Sequence, residues 1–123
     1  MLQEVTGRWY SAEYWSFTID DEANKYRIHG DGYSGDAGDV LHVSGYTGYD
    51  YYVQDGMGFT TYDEDNDNWP DGNCAVAKEC GFWHNYCYWW CLTRDPSRYY
   101  NWGYSGSADI TVSASRMMIK LQQ

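Results

Sequence analysis

The side chains best suited to binding chemistry lie in the acidic stretch 63–72, which reads DEDNDNWPDG. Asp63, Asp65 and Asp67 occupy alternate positions, so an extended backbone directs their carboxylates to one side. Calcium prefers roughly six to eight oxygen ligands from carboxylates and backbone carbonyls. The stretch is not an EF-hand, because its sixth position is not glycine and its twelfth is Cys74 instead of glutamate. The pattern therefore favours a calcium loop over a solvated acidic turn.

The cysteines of the protein are close together in the sequence, and they are Cys74, Cys80, Cys87 and Cys91. Four cysteines allow three different sets of disulfide pairs. The competing interpretation is a zinc site that includes His84, but the spacing lacks the closely paired cysteines of structural zinc sites. Disulfides are therefore favoured, and they imply an oxidising, extracellular setting.

A dense aromatic cluster surrounds the last two cysteines, in the stretch 82–91, which reads FWHNYCYWWC. So many rings beside cysteines predict either a disulfide-linked core or the wall of a small-ligand site. Sugars stack on aromatic faces, and apolar groups such as methyls fit between rings. Taken alone, the cluster favours the core.

A glycine pattern, G-x-G-x-x-G, places Gly30, Gly32 and Gly35 directly after a predicted strand. A dinucleotide site also requires a following helix, whose N-terminus meets the pyrophosphate. The residues that follow Gly35 are acidic and typical of turns. The pattern therefore predicts a tight turn that needs positive φ angles, and not a nucleotide site.

No arrangement of residues predicts catalysis. His29, His42 and His84 are scattered through the sequence, and no serine or cysteine stands in a recognisable nucleophile motif. The carboxylates cluster as in a metal loop instead of forming a separated acid–base pair. We therefore expect a binding protein and not an enzyme.

Short strands and long irregular connections must position these residues. Alternation of apolar and polar side chains predicts a closing C-terminal strand, with Ile110, Val112 and Ala114 on one face. The same rhythm continues over 117–121 after a shift of phase. The other predicted elements are strands over 10–19 and 25–29, a short helix over 20–24, and glycine-rich loops over 30–38 and 44–58. The predicted fold class is α+β and mostly β.

The length of the chain limits the number of domains, and its net charge limits the classes of partner that it can bind. The 123 residues, of which 43% are apolar and 20% aromatic, predict one domain over 1–123. Lys and Arg total 8 against 18 Asp and Glu; this net charge of −10 argues against nucleic acids and anionic membranes. No apolar stretch approaches the ~20 residues of a membrane span. The first residues do not resemble a signal peptide, so we expect a secreted chain to be processed or part of a longer one.

Several linked motifs resemble the fibrinogen-related domain, the C-terminal globe of fibrinogen chains, ficolins, tachylectins, tenascins and angiopoietins. They are the runs 22–39 (EANKYRIHGDGYSGDAGD), 55–67 (DGMGFTTYDEDND), 72–75 (GNCA) and 117–120 (MMIK), together with Trp102. The resemblance covers nearly the whole chain and corresponds to the second half of the family domain. It implies an antiparallel sheet with long irregular loops and a calcium loop.

The resemblance implies a ligand set for the calcium ion. Two aspartate side chains two positions apart hold the ion in the family, and they match Asp65 and Asp67. Backbone carbonyls two and four residues later complete the family site, at Trp69 and Asp71. Because this loop has one residue more than usual before the first cysteine, Gly72 is the alternative to Asp71.

The resemblance also implies a disulfide between Cys74 and Cys87, which leaves Cys80 and Cys91 as an additional pair. In the family's lectins the peptide bond before the second cysteine is cis, and here that bond joins Tyr86 to Cys87. The two backbone N–H groups at this bond then point at the acetyl carbonyl of the ligand.

The acetyl pocket of the family's lectins is altered in this sequence. Lys78 stands where an aromatic residue is usual, Tyr88 stands where a histidine is common, and Tyr99 or Tyr100 replaces another pocket tyrosine. We expect a remodelled site in which Lys78 pairs with an anionic group such as sialic acid or a peptide carboxylate. The candidate ligand-binding residues are Lys78, Tyr86, Cys87, Tyr88, Tyr99 and Tyr104.

The resemblance implies a secreted, calcium-binding recognition domain, a lectin-like module for acetylated or acidic glycans. The alternative is a structural or adhesion subunit that uses the same surface for contact with a protein partner. Domains of this family usually work as oligomers, because a weak site gains from avidity. We therefore expect the protein to be part of an oligomer or a larger assembly.

Overall fold

The computed structural model describes residues 1–42, 53–87, 91–95, 100–102 and 110–122. These residues form six strands, one 3-10 helix and one short α-helix. In order along the sequence they are β1 (Leu2–Glu4), β2 (Trp9–Tyr10), β3 (Ala12–Ile19), the 3-10 helix (Glu22–Asn24), β4 (Ile28–Gly35), α1 (Cys74–Lys78), β5 (Tyr100–Trp102) and β6 (Ile110–Ser115). Neither helix of this described part has the length and apolarity needed to cross a membrane.

The strands form two antiparallel sheets. One has four strands in the order β2-β1-β6-β5, and the other is the β3–β4 hairpin. In the larger sheet the two ends of the sequence meet, since Leu2 is opposite Ser115 and the N–H of Arg116 donates to the carbonyl of Met1 at 2.8 Å. The predicted mostly β, antiparallel class is confirmed.

The predicted closing strand is confirmed as β6, in which Val112 is fully buried. The alternation over 117–121 does not continue the strand: Met117, Ile119 and Leu121 lie in an irregular segment and are exposed. Pairing with β1 ends at Ser115 because β1 itself begins at Leu2. The alternation of apolar and polar residues over 117–121 therefore does not mark a buried face.

The hairpin turn shows one correct and one wrong prediction. The short helix predicted over 20–24 is present as the 3-10 helix, whose N-terminus is capped by the Asp21 carboxylate. The strand predicted over 25–29 is wrong in its first part, because Lys25 and Tyr26 adopt left-handed conformations with φ of 60° and 52°. Extended structure begins only at Ile28, where β4 starts.

The glycine-rich stretch predicted as a loop over 30–38 is a strand as far as Gly35. Its glycines serve close approach: a Cβ on Gly30 would lie 2.6 Å from Cδ1 of Leu41, and one on Gly32 would lie 2.9 Å from Cβ of Trp15. Because the glycine pattern lies within β4 and no helix follows it directly in the described residues, these residues lack the strand–turn–helix that a dinucleotide requires.

The buried apolar residues form two clusters. One contains Leu2, Ala37, Val40 and Val112; the other contains Ile28, Leu41, Met57, Cys80, Phe82, Trp83 and Cys91. The second cluster fixes the segment 53–87 against β4. Its rings include Phe82 and Trp83 from the aromatic stretch, so this part of that stretch is core, as the residues alone favoured. Positions 88–90 lie outside the described residues.

Candidate functional site

Two disulfides fix the candidate site, Cys74–Cys87 and Cys80–Cys91. The first is the pair that the sequence resemblance implies, and the second is the additional pair that this leaves. Two groups of three potential metal ligands occur in the described residues: one joins His84 to the second disulfide, and the other joins Asp67 to the first. In both groups the sulfur atoms are already bonded to each other and supply no thiolate, so the zinc alternative is wrong for these residues.

The helix α1 was not predicted from the sequence, although its capping signals are visible there. Asn73 accepts a hydrogen bond from the N–H of Val76 at 3.2 Å, and its amide also donates to the carbonyl of Thr61 at 2.9 Å. Glu79 ends the helix in a left-handed conformation with φ of 58°. Since the helix is one turn long, it places Lys78 one turn from Cys74.

The predicted calcium loop is organised by its aspartates. Asp65 Oδ1 accepts the N–H of Asp67 at 3.2 Å, and Asp67 Oδ1 accepts the N–H of Trp69 at 2.8 Å. The other oxygen, Asp67 Oδ2, accepts the N–H of Cys74 at 2.7 Å. These bonds curl the loop around one carboxylate and connect it directly to the first disulfide.

The donor set of this loop fits a hard divalent cation. Burial raises the pKa of Asp67, while hydrogen bonds from the N–H groups of Cys74 and Trp69 lower it in part. The charge of Asp65 and a hydrogen bond with it raise the pKa further, so the two carboxylates are close enough to repel each other. A calcium ion between them would relieve that repulsion.

The carbonyl groups assigned to the ion lie in the second half of the loop. A Cβ on Gly72 would lie 2.7 Å from the ring of Trp69, so the backbone at Gly72 packs directly against the indole. The N–H of Gly72 approaches the carbonyl of Trp69 at 3.5 Å, which is a weak contact. The whole ligand set, including the choice between the carbonyls of Asp71 and Gly72, stays a prediction.

A hydrogen-bond network connects the calcium loop to the segment before the second cysteine. The N–H of Asn68 donates to the carbonyl of Asn85 at 2.8 Å, and the two amide side chains are bonded at 2.8 Å. Asn85 also donates to the carbonyl of Val53 at 2.7 Å. The loop is therefore hydrogen-bonded to the residue directly before Tyr86 and Cys87.

His84 is a buried neutral histidine between this loop and α1. Its Nε2 donates to the carbonyl of Cys80 at 2.9 Å. Burial lowers the pKa of His84, and the charge of Lys78 lowers it further, while the bond to Cys80 and the charge of Asp67 act in the opposite direction. The ring therefore lies within electrostatic reach of both Asp67 and Lys78.

The cis peptide bond implied for Tyr86–Cys87 is wrong: the described residues contain no cis bond. Trans is the lower-energy form of any non-proline peptide bond. The backbone is redirected instead by Cys87 itself, which adopts a left-handed conformation with φ of 53°. Tyr86 is exposed and Cys87 half-buried, so this short segment still borders solvent.

The charge of a second cation, Arg94, acts on Lys78, and the sequence did not predict this. Burial lowers the pKa of Lys78, and the positive charge of Arg94 lowers it further. The Nε atom of Arg94 is buried without a hydrogen-bond partner in the described residues. The disulfide Cys80–Cys91 explains the proximity, because it brings the segment that carries Arg94 to the end of α1. No sequence signal for Arg94 existed apart from its position after Cys91.

The predicted ligand residues Tyr88, Tyr99 and Tyr104 lie outside the described residues. Their roles remain predictions. Of the candidate ligand residues, the structure describes Lys78 at the end of α1 and Tyr86 and Cys87 at the first disulfide, and the charge of Arg94 acts on Lys78.

The sequence is similar to known fibrinogen proteins over almost its whole length. Residues 1–118 match the family described as fibrinogen beta and gamma chains, C-terminal globular domain. The fibrinogen beta chain of Gallus gallus is 33% identical over 117 residues, which cover 89% of this chain and 24% of that protein. The chain thus spans about a quarter of the length of this curated relative.

Solved structures show the same similarity. The fibrinogen-like globe domain of human ANGPTL2 aligns with a TM-score of 0.63 at 26% identity, over 91% of this chain and 51% of that one. A lamprey fibrin D-dimer, complexed with the peptide Gly-His-Arg-Pro-amide, aligns with a TM-score of 0.64 at 31% identity, over 74% of this chain and 30% of that one.

Proposed function

This protein belongs to the family of the C-terminal globular domain of fibrinogen beta and gamma chains, and we propose that it is an extracellular, calcium-binding recognition domain for acetylated or acidic glycans. Domains of this family serve recognition and assembly outside the cell, and they bind without altering the ligand. The two disulfides support an oxidising, extracellular setting.

The pair of cations at Lys78 and Arg94 carries the proposal for an acidic ligand. In a protein of net charge −10, the positive charge of Arg94 acts on Lys78 and weakens the preference of Lys78 for its charged form. An anionic group relieves that repulsion, and a guanidinium beside an ammonium suits the carboxylate of a sialic acid.

Calcium has a supporting role in this proposal. The side chains of Asp65 and Asp67 would hold the ion, with the carbonyls of Trp69 and of Asp71 or Gly72. When bound, the ion supplies positive charge that cancels the repulsion between the two carboxylates. The loop contacts Cys74 through Asp67 and contacts Asn85 through Asn68, so a fixed loop keeps the ligand-binding backbone in place.

Calorimetric titration of N-acetylneuraminic acid and N-acetylglucosamine, in calcium and again in chelator, tests the proposal. We expect saturable, calcium-dependent heat with the acidic sugar. The variants Lys78→Gln and Arg94→Gln should each weaken binding about tenfold or more, since each removes a charge-assisted hydrogen bond. Lys120→Gln is the matched control, because it removes the same charge from an exposed position in the C-terminal segment. Absence of heat from folded, calcium-loaded protein would refute the glycan proposal.

A protein or peptide ligand is the second candidate. The lamprey fibrin that this chain resembles was solved with a bound peptide. If the same property extends to this chain, the surface beside the first disulfide contacts a protein partner in a larger assembly. Calorimetric titration with Gly-His-Arg-Pro-amide, combined with light scattering of the free protein, separates this candidate from the first. Saturable heat of binding with the peptide, and none with the sugars, favours the protein or peptide ligand.

A further inference from the structure

A second candidate site lies on the β3–β4 hairpin and shares no residue with the site at the disulfides. It is an open cavity of about 290 Å³. Ligand pockets begin at roughly this size, about 300 Å³. The residues that line it are Ser16, His29, Gly30, Asp31, His42 and Asp55. Two carboxylates and two imidazoles therefore face one small space, and no Lys or Arg of the described residues lines it.

The two carboxylates are fixed by the backbone of β4. The N–H of Gly30 donates to Asp55 Oδ1 at 2.9 Å, and the N–H of Gly32 donates to Asp31 Oδ1 at 2.7 Å. Within the described ranges the second oxygen of each carboxylate has no hydrogen bond to protein. The backbone thus holds both groups in place and leaves one acceptor of each for a ligand.

Neither carboxylate is neutralised by a cation of the described residues, because Asp31 and Asp55 form no salt bridge there. Arg27 directly precedes β4, and it donates to the carbonyl of Gly56 at 2.9 Å instead. The cavity wall therefore keeps its negative charge.

The two histidines are oriented by further carboxylates. Nε2 of His29 donates to Asp20 Oδ2 at 3.2 Å, and Nδ1 of His42 donates to Asp39 Oδ2 at 2.9 Å. Each imidazole is thereby held at the cavity, with its other ring nitrogen not bonded to any described residue. The four carboxylates outnumber the two imidazoles, so the site is negative even when both rings are protonated.

The negative charges around the cavity also affect the pKa of His42. Burial acts to lower the pKa of His42, but the hydrogen bond and charge of Asp39 outweigh burial and raise the pKa above its ordinary value. The charges of Asp55 and Asp31 add to this rise. Both carboxylates of the cavity wall therefore act on the same space as the imidazole.

We propose that this cavity binds the guanidinium group of an arginine side chain from a partner polypeptide. Fixed carboxylate oxygens favour a planar fork of N–H donors, which an arginine provides and a compact ammonium does not. A metal ion is disfavoured, since among the described residues no three His or carboxylate ligand atoms of this cavity lie within 4.8 Å of one another. An anion is excluded by the charge of the wall.

Amide NMR titration of the whole protein with N-acetyl-arginine amide tests the proposal. We expect saturable shifts at Gly30, Asp31, Gly32 and Asp55, and none with N-acetyl-citrulline amide, which has the same shape without the charge. Equal shifts with citrulline, shifts elsewhere only, or equal binding of N-acetyl-lysine amide would each overturn it.

Two variants make the test specific. In Asp31→Asn and Asp55→Asn the side-chain oxygen that accepts the backbone N–H is kept while the charge is lost, so the hairpin should stay folded. Each should weaken arginine binding about tenfold. Glu22→Gln removes a charge from the exposed turn of the same hairpin and should have no effect. Unchanged binding in both asparagine variants would also overturn the proposal. Lys78→Gln leaves this cavity intact, so failure here and failure of the glycan proposal are distinguishable.

Discussion

The carboxylate of Asp67 accepts a hydrogen bond of 2.7 Å from the backbone N–H of Cys74, a residue that is fully buried. This one contact joins the acidic loop to the first disulfide and to the first turn of α1. It makes the proposed calcium site and the proposed ligand site parts of one unit. Changes at Asp67 should therefore reach the disulfide even when no metal is present.

Asp67→Ala should lower the free energy of unfolding by about 1–3 kcal/mol, because the N–H groups of Cys74 and Trp69 lose their acceptor. Asp65→Ala should cost less, since Asp65 accepts one bond of 3.2 Å in an exposed part of the loop. Urea denaturation in chelator measures both without any contribution from metal. Equal losses in the two variants would contradict the connecting role of Asp67.

Calcium should raise the midpoint of thermal unfolding of the wild-type protein. A ligand at about 100 times its dissociation constant stabilises the native state by about 2.7 kcal/mol. In Asp65→Asn most of this gain should vanish, because one of the two side-chain ligands loses its charge. Thermal scans with and without calcium make the measurement. Asp31→Asn is the control, since it removes a carboxylate of the hairpin cavity and should leave the calcium response unchanged.

Gly35→Ala should destabilise the protein by about 2–4 kcal/mol. Gly35 has φ of 128°, and a Cβ there would collide with the backbone carbonyl of Ser11. Gly56→Ala is the matched control, because Gly56 also has a positive φ of 79° but has open space around its Cα. It should lose only about 1 kcal/mol, which reflects the left-handed conformation imposed on alanine. Chemical denaturation of the two variants separates the cost of the collision from the cost of the backbone conformation alone. Equal losses of unfolding free energy in the two variants would show that the collision at Ser11 has no effect.

The sequence predicted a strand with one buried face better than it predicted a strand rich in glycine. Alternating side chains predicted β6 because one face of that strand is buried, and Val112 marks that face. The stretch from Gly30 to Gly35 was predicted as a loop, since its glycines have no side-chain pattern to read. The close contact of Gly30 in β4 with Leu41 is fixed by tertiary packing that local sequence does not encode.

The candidate site likewise has features that the sequence predicted and features that it did not. The spacing of Asp65 and Asp67 singled out the loop that these two carboxylates organise, because their hydrogen bonds are local, while the metal itself stays a prediction. Arg94 was not predicted, since its position beside Lys78 depends on a disulfide and on the path of the backbone between the cysteines. The implied cis bond before Cys87 was wrong because a left-handed residue turns the backbone there instead.

His84 and His42 should give the stability of the protein opposite responses to pH. Burial lowers the pKa of His84 below its unfolded value of about 6.5. The stability that His84 contributes is therefore present above that pH and lost as the pH falls through the folded pKa. The pKa of His42 is raised in spite of burial, chiefly by Asp39. Its contribution is present below about pH 6.5 and lost as the pH rises through the folded pKa.

The slope of unfolding free energy against pH between 5.5 and 7.5 (about one unit either side of the ordinary histidine pKa) separates the two residues. His84→Gln should reduce the loss of stability on acidification, whatever it costs in absolute stability, because the neutral buried ring is gone. His42→Gln should increase that loss, because a group stabilised in its protonated form has been removed. Urea titrations across this range measure the slopes, and NMR titration of the two rings assigns each pKa. A folded pKa of His84 at or above its unfolded value would contradict the assignment of a buried neutral ring between Asp67 and Lys78.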